Sequence, residues 1–140
     1  MQIKEIMKKE RDIAVCTPTD SVTDAAKRMS ERNVGCILVT EGGSVKGIIT
    51  DRDIALSVIA KGKNPTEIRL KDVMKTPVVT GNPDWDVFET TKMMAQKKIR
   101  RLPIQSNGKL QGFISMADLA PILKREMDSF LDLEATSVTH

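Results

Sequence analysis

The chain is short of aromatic residues, cysteine and histidine, and each shortage excludes a class of function. Its only aromatic residues are Trp85, Phe88, Phe113 and Phe130, and tyrosine is absent. No stacking platform for single-stranded nucleic acid is therefore visible. Cys16 and Cys36 have no CxxC spacing, and the one histidine is His140. A zinc finger is thereby excluded, and a disulfide framework is not expected. There is no nucleophile–histidine pair, metal-ligand cluster or P-loop, so the chain is not expected to be an enzyme. No stretch approaches the roughly 18 apolar residues of a membrane span. The opening Met1-Gln2-Ile3-Lys4-Glu5-Ile6-Met7-Lys8-Lys9 carries charge throughout and does not read as a signal peptide. A cytoplasmic protein with no membrane partner is expected.

Charge of one sign is also scarce. The 22 basic and 19 acidic residues leave a net charge of +3, too small for nucleic-acid binding to be expected. Lys97-Lys98-Ile99-Arg100-Arg101 is the one dense basic cluster, and it reads either as a solvated strand entry or as a phosphate contact. With 140 residues, 40% hydrophobic and 29% charged, the composition is that of an ordinary globular domain or of two small halves sharing a core.

What the chain does have is a repetition. Gly47-Ile48-Ile49-Thr50-Asp51-Arg52-Asp53-Ile54-Ala55 is matched by Gly112-Phe113-Ile114-Ser115-Met116-Ala117-Asp118-Leu119-Ala120, 65 positions later. Over 17–55 and 82–120 nine pairs are identical without a gap: Pro18, Val22, Lys27, Met29, Gly43, Gly47, Ile49, Asp53, Ala55 and their partners. Each unit reads helical turn, strand, helix, strand, strand, helix. The opening turns are Ile3–Met7 and Leu70–Met74, followed by β-branched runs at Ile13–Cys16 and Val78–Thr80 that stop before Pro18 and Pro83. Apolar residues at Val22, Ala25, Ala26 and Met29 fall on one helical face, and Val87, Thr90, Thr91 and Met94 repeat the spacing. Thr19-Asp20-Ser21 starts the first of these helices, and Asp84 or Asp86 caps the second. Hairpins are predicted around Glu41-Gly42-Gly43-Ser44 and Ser106-Asn107-Gly108-Lys109. Pro103 marks its strand as an edge or a pause in the ladder. The last helices run from Asp51 to about Lys61 and from Met116 to about Arg125, with Phe130, Leu131 and Leu133 able to continue the second. The units are expected at 1–64 and 70–130, with a tail at 131–140 that frays from Glu134 onward.

Two readings of the repeated stretch stay open. Thr50-x-x-Asp53 and Ser115-x-x-Asp118 match the capping box, in which hydroxyl and carboxylate satisfy the helix start reciprocally. The same groups suit a nucleotide, because a helix N-terminus favours phosphate and an Asp accepts from ribose hydroxyls. Gly47 and Gly112 keep the strand bare where another body approaches. Trp85, at a helix start, reads as a half-exposed packing residue or a stacking surface.

Gly-Ile-Ile-Thr-Asp-Arg-Asp-Ile and Gly-Phe-Ile-Ser-Met-Ala-Asp-Leu resemble the Gly-apolar-apolar-Thr/Ser-x-x-Asp-apolar signature of cystathionine β-synthase (CBS) domains. The Met-rich opening turns, the Thr17-Pro18 and Asn82-Pro83 steps and the Arg101-Leu102-Pro103-Ile104 strand resemble that family too, from about Ile3 to Arg125. The resemblance implies an α/β (α+β) fold of two βαββα repeats packed through their sheets with pseudo-two-fold symmetry, a Bateman module. It implies two clefts for adenosyl ligands (AMP, ADP, ATP or S-adenosylmethionine), a homodimer and a separate effector protein. Asp53 and Asp118 would hold ribose hydroxyls, with Thr50 and Ser115 on ribose or phosphate. Val15-Cys16-Thr17 and Val79-Thr80-Gly81 would line the base. Val34-Gly35-Cys36 and Ile99-Arg100-Arg101, with Pro103 beyond, would form the opposing wall. Arg100 and Arg101 give the second site cations where the first has Gly35 and Cys36 and only Arg52 nearby. Unequal sites are therefore expected, the second holding the charged nucleotide. A ligand-free dimerisation or interaction module is the alternative.

Overall fold

Alternating apolar runs closed by tight Gly turns make two antiparallel hairpins, and each becomes the centre of a sheet. The structure, a computed structural model, describes residues 1–137. β3 (Cys36–Glu41) pairs with β4 (Ser44–Thr50), and β5 (Arg101–Ser106) with β6 (Lys109–Ser115). Gly42 and Gly43 turn the first hairpin and Asn107 and Gly108 the second, all at positive φ, as tight hairpin turns require. Both ladders slip by one residue at the same point, between Val39 and Thr40 and between Ile104 and Gln105. The duplication thus extends to its irregularities.

α1 (Val22–Arg32) and α3 (Val87–Lys97) each bury one stripe, Val22, Ala25 and Met29 in one and Val87, Thr90 and Met94 in the other. Ser21 caps α1 in a reciprocal box with Asp24, and Asp86 rather than Asp84 caps α3. The three-stranded sheets, β2 (Val15–Cys16)-β3-β4 and β1 (Lys8–Lys9)-β6-β5, carry separate cores. Ile13, Leu38 and Leu110, with Val45, Ile48 and Phe113 against them, form a third cluster joining the sheets. The hairpin tips also meet, Leu110 N–H donating to the Gly43 carbonyl at 2.8 Å.

The opening turns change places. Ile3, in the 3₁₀ turn Ile3–Glu5, is buried in the second core, and Leu70, in the 3₁₀ turn Leu70–Asp72, in the first. β1 pairs with β6, and Lys75 bridges to Ile48 on β4. Matching bonds hold each turn: Ile3 N–H donates to Trp85 O and Leu70 N–H to Asp20 O, both at 2.9 Å. The contiguous units 1–64 and 70–130 are therefore sequence repeats whose opening segments are exchanged in space. The body that approaches the two bare glycines is the exchanged opening segment. A Cβ on Gly47 would fall on the Met74 side chain, and one on Gly112 on Met7 and the Lys8 carbonyl.

Three other expectations are corrected. Val78–Thr80 is not a strand; Gly81 alone makes a parallel bridge to Ile104. Past α2 (Asp51–Ile54) the helix widens into a π-helical stretch, Ala55–Ile59, before Gly62. α4 (Met116–Ser137) does not fray after Leu133 but runs on to Ser137. Residues 138–140, including His140, lie outside the described residues.

Candidate functional site

The strand entries that follow α1 and α3 face each other across the pseudo-two-fold and line one cleft of about 950 Å³. From the first repeat come Val34, Gly35 and Cys36; from the second come Ile99, Arg100, Arg101 and Ser115. The first turn of each following helix is tied to its entry, Asp51 N–H donating to Gly35 O and Met116 N–H to Arg100 O, both at 2.9 Å. The two walls are therefore symmetric in backbone. Their side chains are not.

The remaining lining is supplied by the second repeat, with Met94, Lys98, Phe113, Met116 and Ala117 among it, and by Lys8 of the exchanged opening segment. Among the described residues four cations, Lys8, Lys98, Arg100 and Arg101, line the cleft, and no acidic residue does. Lys8 was not recognisable from sequence, because its place depends on the exchange. The signal that finds it is its alignment with Lys75, 67 positions on, once β1 is paired to β6. The basic cluster at 97–101 is thus partly a cleft wall rather than a wholly solvated strand entry.

The acidic pair divides in the same way. Thr50 N–H donates to Asp53 Oδ2 at 3.0 Å, and Asp53 N–H donates to Thr50 Oγ1 at 3.1 Å, a complete capping box. Lys75 Nζ lies 3.2 Å from Asp53 Oδ1, and the Asp53 side chain is only 14% exposed. Burial alone would raise this carboxyl, but the Thr50 hydrogen bonds and Lys75 outweigh it and hold it below its ordinary value. In the second repeat Asp118 N–H donates to Ser115 Oγ at 3.2 Å, without the return bond. Asp118 is exposed, and its carboxylate has no ion-pair or hydrogen-bond partner among the described residues.

Neither Asp lines the cleft, nor do Thr50, Arg52, Thr17, Thr80 or Pro103. Thr17 is exposed at the turn after β2, where its N–H donates to Asp20 Oδ2 at 2.8 Å. Arg52 is exposed on α2 and Thr80 half-buried beside Gly81. Pro103 is buried in β5, the outer strand of its three-stranded sheet, as an edge position requires. Trp85 is 42% exposed next to Gly81.

Cys36 reaches the cleft, where burial pushes its thiol up to about 11 and the Arg101 charge offsets only part of that. It is a neutral thiol at ordinary pH. Cys16 is buried in the first core, its thiol also raised by burial, with Arg28 Nη1 donating to Sγ at 3.1 Å. Cys16 is level with Val39, three positions along β3 from Cys36. At about 3.3 Å per residue that separation is too long for a disulfide.

The model of the CBS domain matches residues 3–59 and 70–125. The CBS domain-containing protein YhcV of Bacillus subtilis is 41% identical over 108 residues, 77% of this chain and 76% of that protein. An uncharacterized protein of Methanopyrus kandleri is 40% identical over 114 residues, 80% of this chain, and the chain spans only 58% of its length. A conserved protein of Pyrococcus horikoshii superposes with a TM-score of 0.76 at 30% identity, covering 86% of this chain and 90% of that one. A hexameric CBS-CP12 protein from bloom-forming cyanobacteria superposes with a TM-score of 0.73 at 32% identity, covering 85% and 69%. Two family matches, each falling on one of the two repeats built above, mean that the chain belongs to the CBS-domain family as a tandem pair, a class of regulatory modules.

Proposed function

We infer that the chain senses a phosphate-bearing adenosyl ligand, AMP, ADP or ATP, in the cleft between its repeats and passes the signal to a separate effector protein. The observation that carries this reading is the charge of the cleft: Lys8, Lys98, Arg100 and Arg101 with no carboxylate among the lining residues. Arg presents a planar donor fork suited to phosphate oxygens. The N-terminal turn of α4, through Met116 and Ala117, adds the positive end of a helix dipole. Such a cleft favours nucleotides over S-adenosylmethionine, whose sulfonium would enter among cations. The volume is that of an ordinary small-molecule site. A ligand spanning walls from both repeats biases their arrangement by its differential binding energy.

A homodimer fits the same reading. Leu56 and Ile59 after α2, and Met127, Phe130 and Leu131 on α4, are large apolar residues between 49% and 56% exposed. That surface is also what favours the second reading, a ligand-free dimerisation module. Among the described residues no helix is long and apolar enough to cross a membrane.

A thermal-shift panel of AMP, ADP, ATP and S-adenosylmethionine separates the two readings. At a hundredfold excess over Kd the favoured nucleotide stabilises by about 2.7 kcal/mol, which for a chain of this size is a shift of about 5–10 °C. No shift with any of the four at millimolar concentration leaves the dimerisation module standing.

A further inference from the structure

α1 and α3 both end on a left-handed residue, the joint from which each cleft wall starts. Asn33 closes α1 at φ 52° and Lys98 closes α3 at φ 56°. Matching bonds hold the two joints: Val34 N–H donates to Met29 O and Ile99 N–H to Met94 O, both at 3.0 Å. The left-handed region crowds a Cβ against the following carbonyl, and glycine and asparagine tolerate it best. Every other such position among the described residues is one of those two: Asn33, Asn107, Gly42, Gly43, Gly62 and Gly108. Lys98 is the exception. The helix end does not explain it, because Lys97 in the last turn already gives the α3 dipole its cation. Nor does a neighbour, because the Lys98 ammonium makes no ion pair or hydrogen bond among the described residues. Lys98 does line the cleft, and Asn33 does not. A residue held in a sparsely populated conformation at a cleft points to function.

We propose that Lys98 is a ligand contact, held in a strained conformation for that purpose, and makes the cleft select a nucleoside triphosphate over the monophosphate. This rests on the adenosyl reading above. Arg100 and Arg101 are adjacent at the entry to β5, and their planar donor forks suffice for one phosphate group. A phosphate monoester carries about two negative charges near neutral pH and each further phosphate adds about one, so a triphosphate carries about four. Lys8 and Lys98 raise the cations of the cleft to four, and none of the four is ion-paired among the described residues. A monophosphate leaves two of them uncompensated; a triphosphate matches them all. Asn33 at the equivalent joint brings no charge, so the first repeat adds nothing to this selection.

The test titrates ATP and AMP by calorimetry, and melts the ligand-free chain, for the wild type, for Lys98→Asn, which installs the residue of the first repeat, and for Lys97→Asn as a charge control. The wild type binds ATP about tenfold or more tightly than AMP. Lys98→Asn weakens ATP about five- to tenfold and AMP less than about twofold. The same variant without ligand melts about 2–4 °C above the wild type, because the strain at position 98 is relieved. Lys97→Asn leaves the ratio of the two nucleotides as in the wild type. A Lys98→Asn chain that melts below the wild type, or that keeps the wild-type ratio, overturns the inference, as does an equal effect of Lys97→Asn on that ratio, which is what bulk charge alone would give. Equal binding of ATP and AMP by the wild type overturns the inference and leaves the adenosyl reading standing. If the wild type binds neither, the adenosyl reading falls and this inference with it.

Discussion

Asp53 and Asp118 hold the same position in two copies of one unit, and only the first is closed. Asp53 completes a capping box, carries Lys75 at 3.2 Å and is largely buried. Asp118 makes half a box and stands exposed. Lys8, the counterpart of Lys75, lines the cleft instead. The same contrast recurs at the walls, where Gly35 and Cys36 face Arg100 and Arg101. The difference teaches that bonds building the fold are duplicated closely, down to matched bulges, while groups facing the cleft have parted. The first repeat closes on itself, and the second keeps donors and acceptors open.

The largest expected effect comes from the exchanged openings. In Gly112→Ala the new methyl meets Met7 and the Lys8 main-chain carbonyl at 2.7 Å; in Gly47→Ala it meets only the flexible Met74 side chain. Gly112→Ala should cost about 1–3 kcal/mol, the usual range for overpacking, and Gly47→Ala clearly less. Denaturant midpoints of the two variants decide it, and equal losses would break the contrast.

A smaller effect is expected at the caps. Asp53→Ala removes the bond from the Thr50 N–H and the Lys75 pair and should cost about 1–2 kcal/mol; Asp118→Ala removes no bond of its carboxylate and should cost clearly less. The Asp53 lock also has a pH signature. Its folded pKa lies below the unfolded value of 3.8, so its contribution is fully present above that pH and fades as pH falls below it. Asp53→Asn should flatten the acid limb of thermal stability below pH 3.8, measured against the wild type.

Much of this was legible in the sequence, for physical reasons that can be named. The hairpins and α1 and α3 follow from residue periodicity and turn chemistry, which are local. The exchange was not legible, because an apolar turn such as Ile3-Lys4-Glu5-Ile6 declares that it needs a core but not which one. Lys8 is hidden for that reason, and the bare edges at Gly47 and Gly112 announce an approaching body without naming Met74 and Met7. Asp53 and Asp118 were placed at the helix starts correctly, but not relative to the cleft, since a capping box looks alike whichever way its carboxylate is turned.

Calorimetric titration of ATP into the wild type, the double variant Arg100→Ala/Arg101→Ala and Asp53→Ala tests the central asymmetry most directly. The account predicts one tight site per chain, weakened about ten- to hundredfold by loss of the two arginines and unchanged by loss of Asp53. Two equal sites per chain, or an arginine variant that binds like the wild type, would contradict it.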